Sequence, residues 1–271
     1  MKNSTDPSPA TVDLDLALAV AREAAASASE IALSYFRQPL EIERKSDASP
    51  VTIADQQCEV EIRRIISATF PDHAILGEEY GHSGHSRCIW LVDPIDGTRS
   101  FIRGLEFWSV QIALMIDGEL VLGVSSAPAF EETAWALAGR GAFLDSARLR
   151  DSAQLGVANT TELTDMDLSL GNVRSLARSD AWRRVGGLVE KAARTRGYGD
   201  FYPYHRLAAG GLDAVIESDV NILDIAALTV IVREAGGQVS TLDGSPIDLE
   251  VSSILAATPG LHARLVSLLN D

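Results

Sequence analysis

The sequence has few cysteines and an excess of negative charge, and each feature excludes classes of protein. Two cysteines, Cys58 and Cys88, among 271 residues are too few for a disulfide framework, and their apolar neighbours predict buried free thiols. The formal net charge of −15 argues against nucleic acid or an anionic membrane surface as a partner. No apolar run reaches the length of a membrane span, and residues 1–11 lack the apolar core of a signal peptide. We therefore expect a disordered tail over residues 1–11 on a cytoplasmic protein.

The rest of the chain is apolar enough to form a sizeable core. Hydrophobic residues make up 46% of the sequence. Strand patterns occur in runs with helical patterns between them, without repeats or a long linker, which predicts stacked layers of sheet and helix. We expect one compact α/β domain over residues 12–271, in which two halves, about 12–150 and 151–271, pack tightly together.

Apolar periodicity and turn residues give the individual elements. The predicted helices are 12–36, 55–69, 179–193, 224–235 and 259–269. The predicted strands are 41–45, 74–76, 89–92, 108–116, 119–125, 132–138, 141–144, 168–171, 213–217, 238–242 and 253–257. The dipeptide Asp117-Gly118 predicts a hairpin turn, and residues 82–86 are expected to form a flexible turn.

One segment, W-L-V-D-P-I-D-G-T-R-S-F at residues 90–101, combines a buried strand with two carboxylates. The strand is expected to stop abruptly at Asp93-Pro94, and the acid and hydroxyl of Asp96-Gly97-Thr98 are suited to start a helix. Clustered carboxylate oxygens are what a hard divalent cation needs. The N–H groups of Gly97 and Thr98 would suit a phosphate. Alone, the segment could equally be a capped turn whose carboxylates satisfy backbone N–H groups.

Two further acidic segments decide between these interpretations. They are Gly77-Glu78-Glu79 upstream and Asn221-Ile222-Leu223-Asp224 downstream. The order and spacing of the three segments resemble the inositol monophosphatase family, in which they read G-E-E, D-P-I-D-G-T and W-D and bind Mg²⁺ for phosphate monoester hydrolysis. The resemblance extends over residues 14–269. It implies layers in the order α-β-α-β-α, two or three Mg²⁺ ions, a small phosphorylated substrate and a homodimer.

The resemblance also implies roles for individual residues. The implied metal ligands are Glu78, Asp93, Asp96, Asp224 and the carbonyl of Ile95. Thr98 and Asp55, with Glu78, are the implied catalytic residues that support a nucleophilic water, and Asp55 could also cap the helix that it precedes. Gly97 and Thr98 are implied to hold phosphate oxygens. Lys45 corresponds to a family lysine near the site.

The substrate is indicated by residues 196–202, which read R-G-Y-G-D-F-Y. This segment is similar to the histidinol-phosphate phosphatases of the family. Asp200 would pair with the substrate ammonium, and an aromatic side chain would stack on the imidazole. The aromatic candidates are Tyr198, Phe201, Tyr202 and Trp108. The alternative is a packed aromatic cluster in which Asp200 caps the following helix.

Other positions bear on the same question. Glu217 matches the family position that contacts substrate, and Asp219 adds negative charge nearby. Leu223 and Ser100 depart from the family's usual aromatic and asparagine, which could reshape the pocket without removing a metal ligand. We therefore favour a Mg²⁺-dependent histidinol-phosphatase over an inositol or sugar monophosphatase. A regulatory homologue without turnover is the alternative from another class, and the complete set of acids argues against it.

Overall fold

The computed structural model describes residues 12–44, 50–147 and 152–271. The helices are α1 Leu14–Tyr35, α2 Ile53–Thr69, α3 Thr98–Ile102, α4 Val173–Leu176, α5 Trp182–Lys191, α6 Tyr202–Ala208, α7 Ile222–Glu234 and α8 Pro259–Asn270. The strands are β1 Glu43–Arg44, β2 Pro50–Val51, β3 Ala74–Gly77, β4 Gly81–Ser83, β5 Cys88–Asp96, β6 Ser109–Ile116, β7 Glu119–Ala127, β8 Glu132–Leu137, β9 Gly141–Ser146, β10 Ala153–Gln154, β11 Asp167–Leu170, β12 Arg194–Arg196, β13 Ala214–Ser218, β14 Gln238–Ser240 and β15 Ser253–Ala257. The tail predicted over residues 1–11 and the role predicted for Lys45 lie outside the described residues.

The strands form two large sheets and one short pair. Eight strands follow the order β10-β9-β8-β7-β6-β5-β3-β4, and only the β3–β5 pairing among them is parallel. Five strands follow the order β12-β11-β13-β15-β14, with β11 parallel to both of its neighbours. Strands β1 and β2 form the pair. The predicted hairpin at Asp117-Gly118 is confirmed, with φ values of 52° and 88° at the two turn residues.

Alternating side chains on each large sheet separate three apolar layers. On β6, Val110, Ile112 and Leu114 pack against α1 and α2, whereas Ala113 and Met115 face α7. The second sheet presents one face to α6 and α7 and the other to α5 and α8. The layers therefore run α1/α2, first sheet, α6/α7, second sheet, α5/α8. This order confirms the predicted α-β-α-β-α sandwich.

Helix α7 is the middle layer, and its sequence reflects that position. Its residues are apolar on almost every side because both flanks are covered by sheet. Gly123 on β7 allows close packing, since a Cβ there would lie 2.8 Å from the Cα of Ala227. This contact fixes the helix that carries Asp224. No helix in residues 12–44, 50–147 or 152–271 is long and apolar enough to cross a membrane.

The predicted end of β5 at Asp93-Pro94 is wrong. The strand continues to Asp96 because it forms a bulge, in which Asp93 lies opposite Gln111 and Asp96 opposite Ser109. Proline cannot donate to the ladder and is tolerated at bulges, so Pro94 bends the strand without ending it.

Two other local predictions also need correction. The flexible turn expected over residues 82–86 includes part of β4, which pairs antiparallel with β3. Helices α4 and α6 and the short strands β2, β10 and β12 were missed.

Candidate metal centre and cavity

Three carboxylates meet where the first sheet approaches α7. Asp93 and Asp96 come from the bulged end of β5, and Asp224 comes from the first turn of α7. One oxygen from each lies within 4.8 Å of the others. Glu78 follows β3, and its backbone N–H donates to the carbonyl of Val92 at 3.2 Å. Since β3 and β5 are parallel, their ends bring Glu78 to the same group.

Local hydrogen bonds hold each carboxylate in place. Asp93 accepts from the N–H of Ile95 at 2.9 Å, across the bulge. Asp96 accepts from the Ser109 hydroxyl at 3.4 Å. Asp224 accepts from the backbone N–H and the side-chain amide of Asn221, each at 2.8 Å, which forms a capping box. The same carboxylates that could bind a cation are therefore pre-oriented by their own secondary structure.

Burial makes these charges costly in the absence of a cation. Desolvation raises the pKa of Asp93 well above its usual range, and the charges of Glu78, Asp96 and Asp224 raise it further. Desolvation raises the pKa of Asp96 in the same way, with Asp200 the largest charge contribution. The pKa of Asp224 is raised to about 7, mainly by burial. A divalent cation would remove this repulsion, so the donor set fits a hard metal ion.

Asp55 and Thr98 form the predicted pair beside these acids. The expectation that Asp55 caps a helix that it precedes is wrong in position, because α2 begins at Ile53 and its N-cap is Thr52. Asp55 is buried at the third position of the helix, where its carboxylate accepts from the N–H and hydroxyl of Thr52 and completes a capping box. Its other oxygen lies 3.2 Å from Thr98 Oγ1. Burial is the main cause that raises the pKa of Asp55. Asp55 therefore takes part in the capping box of α2 and reaches the site at the same time.

Gly97 is the N-cap of the short helix α3, so the expectation that the acid of Asp96 caps this helix is wrong. The φ of Gly97 is 88°, and no side chain forms a capping hydrogen bond at this helix start. A Cβ at this position would lie 2.6 Å from the carbonyl oxygen of Phe107. Only glycine satisfies both conditions. Asp96 is thereby left on the cavity side.

A cavity of about 770 Å³ opens beside this acid group. Besides Asp96 and Asp224, its acidic wall includes Asp200, Glu217 and Asp219. Asp200 is half-buried, and its backbone adopts a left-handed conformation with a φ of 54°. Burial raises the pKa of Asp200 to about 6. Burial also raises the pKa of Glu217 to about 8, although Tyr204 donates a hydrogen bond to it at 2.9 Å. The structure thus brings together the predicted metal-binding acids and two of the predicted substrate contacts.

The predicted aromatic contacts are not brought to the cavity. Phe201 is fully buried and packs on Phe130 at 5.6 Å between ring centroids. Trp108 is also fully buried and packs edge-on against Phe101 at 5.0 Å. Tyr198 packs on Tyr202 at 5.2 Å and does not line the cavity. Tyr198, Phe201 and Tyr202 form the packed cluster of the alternative interpretation, whereas Trp108 belongs to a separate group of rings with Phe36 and Phe101. Large apolar side chains gain more from the core than from a polar cavity.

The second half of that alternative is wrong, because Asp200 is not the cap of α6. The N-cap of α6 is Phe201, and no side chain accepts a hydrogen bond there. Asp200 instead faces the cavity, next to Gly199. The two residues that depart from the family's usual pattern, Ser100 and Leu223, also lie in different environments. Ser100 lines the cavity, whereas Leu223 is buried in the core.

Several cavity residues were missed by the sequence analysis. Arg99, Arg174 and Arg178 are exposed residues that also line the cavity. Tyr204 lies on a helix that was not predicted. Pro203 near the start of α6 was the available signal for that helix. No local pattern distinguishes the three arginines from ordinary surface arginines.

The layered sandwich and the buried acid group are those expected of a metal-dependent phosphatase. The profile described as the Inositol monophosphatase family matches residues 13–271. The chain belongs to the inositol monophosphatase family, which consists of metal-dependent phosphatases.

Individual relatives agree with this assignment. A histidinol-phosphatase from Mycobacterium tuberculosis is 40% identical over 85% of this chain and 88% of its own length. A histidinol-phosphatase from Streptomyces coelicolor is 36% identical over 86% of this chain and 88% of its own length. The crystal structure of the extragenic suppressor protein suhB from Bartonella henselae has a TM-score of 0.86 and 27% identity, over 94% of this chain and 99% of that chain.

Proposed function

We propose that the protein is a Mg²⁺-dependent phosphomonoesterase whose substrate is L-histidinol phosphate. The observation that carries the proposal is the approach of Asp93, Asp96 and Asp224 to within 4.8 Å of one another beside a large cavity. Like charges at this separation oppose one another unless a cation or protons lie between them. Glu78 and the carbonyl of Ile95 complete the proposed ligand set.

The cation would supply Lewis acidity that neutralises phosphate charge and lowers the pKa of water. The chain supplies the proton acceptor and the orientation. Thr98 Oγ1 lies 3.2 Å from Asp55 and 3.0 Å from the carbonyl oxygen of Ile95. A hydroxyl has one proton, so when it donates to Asp55 its lone pairs are free to accept from water. We propose that this pair orients the attacking water and accepts its proton.

The start of α3 contributes the phosphate contacts. The backbone N–H groups of Gly97 and Thr98 lie beside Asp96 and would donate to phosphate oxygens. Helix α3 has five residues, so we attribute the contact to these N–H groups rather than to a long helix dipole. The three cavity arginines add positive charge on the path of a phosphate dianion.

The choice of histidinol phosphate rests on the charge of the cavity wall and on the two histidinol-phosphatase relatives. Asp200, Glu217 and Asp219 would surround a primary ammonium, a group that inositol and sugar phosphates lack. Val220, Ile225 and Leu228 provide an apolar part of the same wall for the imidazole ring. The conversion would release L-histidinol and phosphate, as in histidine biosynthesis.

A substrate panel tests both parts of the proposal. Phosphate release would be measured with histidinol phosphate, inositol 1-phosphate and sugar phosphates, with Mg²⁺ and with excess chelator. We expect the highest kcat/KM for histidinol phosphate, no turnover in chelator, and inhibition by Ca²⁺, whose larger size relaxes the geometry. A preference for inositol 1-phosphate would overturn the substrate, and full activity in chelator would overturn the metal. Absence of turnover with every substrate would favour a regulatory metal-binding protein.

Two further expectations from the sequence analysis remain proposals. We propose a homodimer, which light scattering at working concentration checks independently of catalysis. The cytoplasmic location likewise remains a prediction.

A further inference from the structure

A buried ion pair lies directly beneath the turn that carries Glu78. Glu59 on α2 is fully buried, and Arg63 one turn later donates from Nε to its carboxylate at 2.7 Å. The Arg63 side chain is itself only 17% exposed. Such a pair is poor evidence of stabilisation, because the cost of desolvating both charges offsets their attraction. Its position therefore calls for another explanation.

Both members of the pair bind the backbone around the turn between β3 and β4. Glu59 accepts from the N–H of Glu79 at 2.6 Å and from the N–H of Tyr80 at 3.2 Å. Arg63 donates to the carbonyl of Gly81 at 2.5 Å and to the hydroxyl of Ser83 at 2.8 Å. One buried pair thus holds the turn at Glu79 and Tyr80 and holds strand β4 directly after it.

The residue before Glu78 is shaped for this arrangement. A Cβ at Gly77 would overlap the carboxylate of Glu59, so glycine is what lets that carboxylate reach the turn. Glu59 also lies four residues after Asp55, on the same face of α2. One face of α2 therefore carries Asp55, the proposed proton acceptor, and Glu59, which binds the turn that contains the proposed ligand Glu78.

We propose that Glu59 and Arg63 are positioning residues, which hold Glu78 against the repulsion of the neighbouring acids so that a divalent cation binds tightly. The proposal rests on the proposed function, because it takes Glu78 as a metal ligand. The geometry of the site shows why restraint is needed, since Glu78 follows β3 at the edge where oxygens of Asp93, Asp96 and Asp224 lie within 4.8 Å of one another. Residues that orient metal ligands through hydrogen bonds typically contribute about 10- to 100-fold to metal affinity.

The same helix offers a matched control pair. Glu61 and Arg64 form an ion pair at 2.7 Å in which Arg64 is exposed and Glu61 is half-buried. Glu61 also accepts from the hydroxyl of Ser27 on α1. The test compares Arg63→Lys and Glu59→Gln with Arg64→Lys and Glu61→Gln. Arg63→Lys keeps the positive charge beside Glu59 but loses the fork that reaches Gly81 and Ser83, so it is the variant better suited to fold.

Mg²⁺ binding by calorimetry is the main measurement, with half-saturation of phosphatase activity and the Tm in chelator recorded beside it. We expect the Mg²⁺ Kd to rise by about 10-fold or more in the Arg63 and Glu59 variants and by less than about twofold in the controls. An unchanged Mg²⁺ Kd in Arg63→Lys, even with a lower Tm, would overturn the proposal and make the pair purely structural. If wild type itself neither binds nor requires Mg²⁺, the proposed function fails first, which distinguishes the two failures.

Discussion

Thr98 donates towards Asp55 across 3.2 Å, although the two residues are 43 positions apart. Asp55 lies in the first turn of α2 and Thr98 in the first residue of α3. The hydrogen bond from the Thr98 hydroxyl therefore links the N-terminal ends of α2 and α3. The capping box of α2 leaves one oxygen of Asp55 for this contact, because Thr52 occupies the other.

This relationship predicts the effect of Thr98→Val, which keeps the shape of the side chain and removes the hydroxyl. Removal of a group that orients water and passes on its proton should lower kcat by about 100-fold, the lower end for general acid–base catalysis. Mg²⁺ affinity should stay within about threefold, since the carboxylates are untouched. Thr229→Val is the control, because its buried hydroxyl has no hydrogen-bond partner among the described residues. Equal loss in both variants would contradict the assignment.

Asp96→Asn should abolish turnover without loss of fold. The substitution removes one charge from a site where several buried acids repel one another, so the Tm in chelator should stay constant or rise. Asp213→Asn provides the contrast, because Asp213 is a buried acid that accepts from the N–H of Asp167 away from the cavity. That variant should keep its kcat. Substantial activity in Asp96→Asn would show that this carboxylate is not a metal ligand.

The raised carboxyl pKa values predict how stability depends on pH when no divalent cation is bound. Folding raises the pKa to about 6 for Asp200, about 7 for Asp224 and about 8 for Glu217. Between the unfolded values near 4 and these values the folded protein binds more protons than the unfolded chain, so stability falls as pH rises. In chelator, the Tm should be higher at pH 5.5 than at pH 8, by at least about 3 °C.

Two comparisons make this prediction specific. Mg²⁺ should reduce the difference, because the cation replaces the protons as the partner of the carboxylates. Glu217→Gln should flatten the upper part of the profile, from about pH 6 to pH 8, since that group no longer titrates. Calorimetry with Mg²⁺ and in chelator measures the first comparison, and calorimetry in chelator measures the second. A Tm that rises over the same interval would contradict the pKa assignments.

The arginines of the cavity predict a salt-dependent rate. The double substitution Arg174→Gln with Arg178→Gln should lower kcat/KM at low ionic strength by about 10-fold, because it removes positive charge on the path of a phosphate dianion. The difference should shrink above about 0.5 M salt, where exposed charges are screened. The double substitution Arg183→Gln with Arg184→Gln changes net charge equally on α5, away from this cavity. The same loss in both double variants would mean that only net charge matters.

The acids could be predicted from the sequence, but the cavity walls around them could not. Asp93, Asp96 and Asp224 were assigned because the order and spacing of three acidic segments resemble those of the family, whereas the local pattern alone left a capped turn open. The bulge at Pro94 was not predictable from β5 alone, since it depends on the partners Ser109 and Gln111. Two adjacent strands, rather than one motif, define it.

The prediction that aromatic side chains of residues 196–202 line the substrate cavity was wrong for a related reason. Asp200 and Phe201 are neighbours in sequence, yet the first faces the cavity and the second is fully buried. The φ of 54° at Asp200 turns the chain between them. Glycine signals a left-handed backbone conformation in a sequence, but an aspartate in the same conformation gives no such signal. Which of two adjacent side chains meets the ligand is therefore decided by the tertiary fold.

Asp200→Asn is the sharpest test of the substrate. Asparagine tolerates the left-handed conformation as well as aspartate does, so the variant should keep the backbone and lose only the charge. If Asp200 pairs with the substrate ammonium in this partly desolvated wall, its loss should cost about 1.5–3 kcal/mol, the range for hydrogen bonds to charged groups. That corresponds to a fall of about 10- to 150-fold in kcat/KM for histidinol phosphate.

The loss should also be selective, and this selectivity is what separates a contact from a structural role. A neutral sugar phosphate has no ammonium to lose, so its kcat/KM should barely change in Asp200→Asn. Mg²⁺ affinity should change far less than kcat/KM for histidinol phosphate, because Asp200 is not one of the proposed ligands and acts on Asp96 only through its charge. The measurement is kcat/KM for both substrates in wild type and variant, with Mg²⁺ binding as the control. An equal fall for both substrates would make Asp200 a structural residue of the cavity wall and would leave the choice of histidinol phosphate without its charge argument.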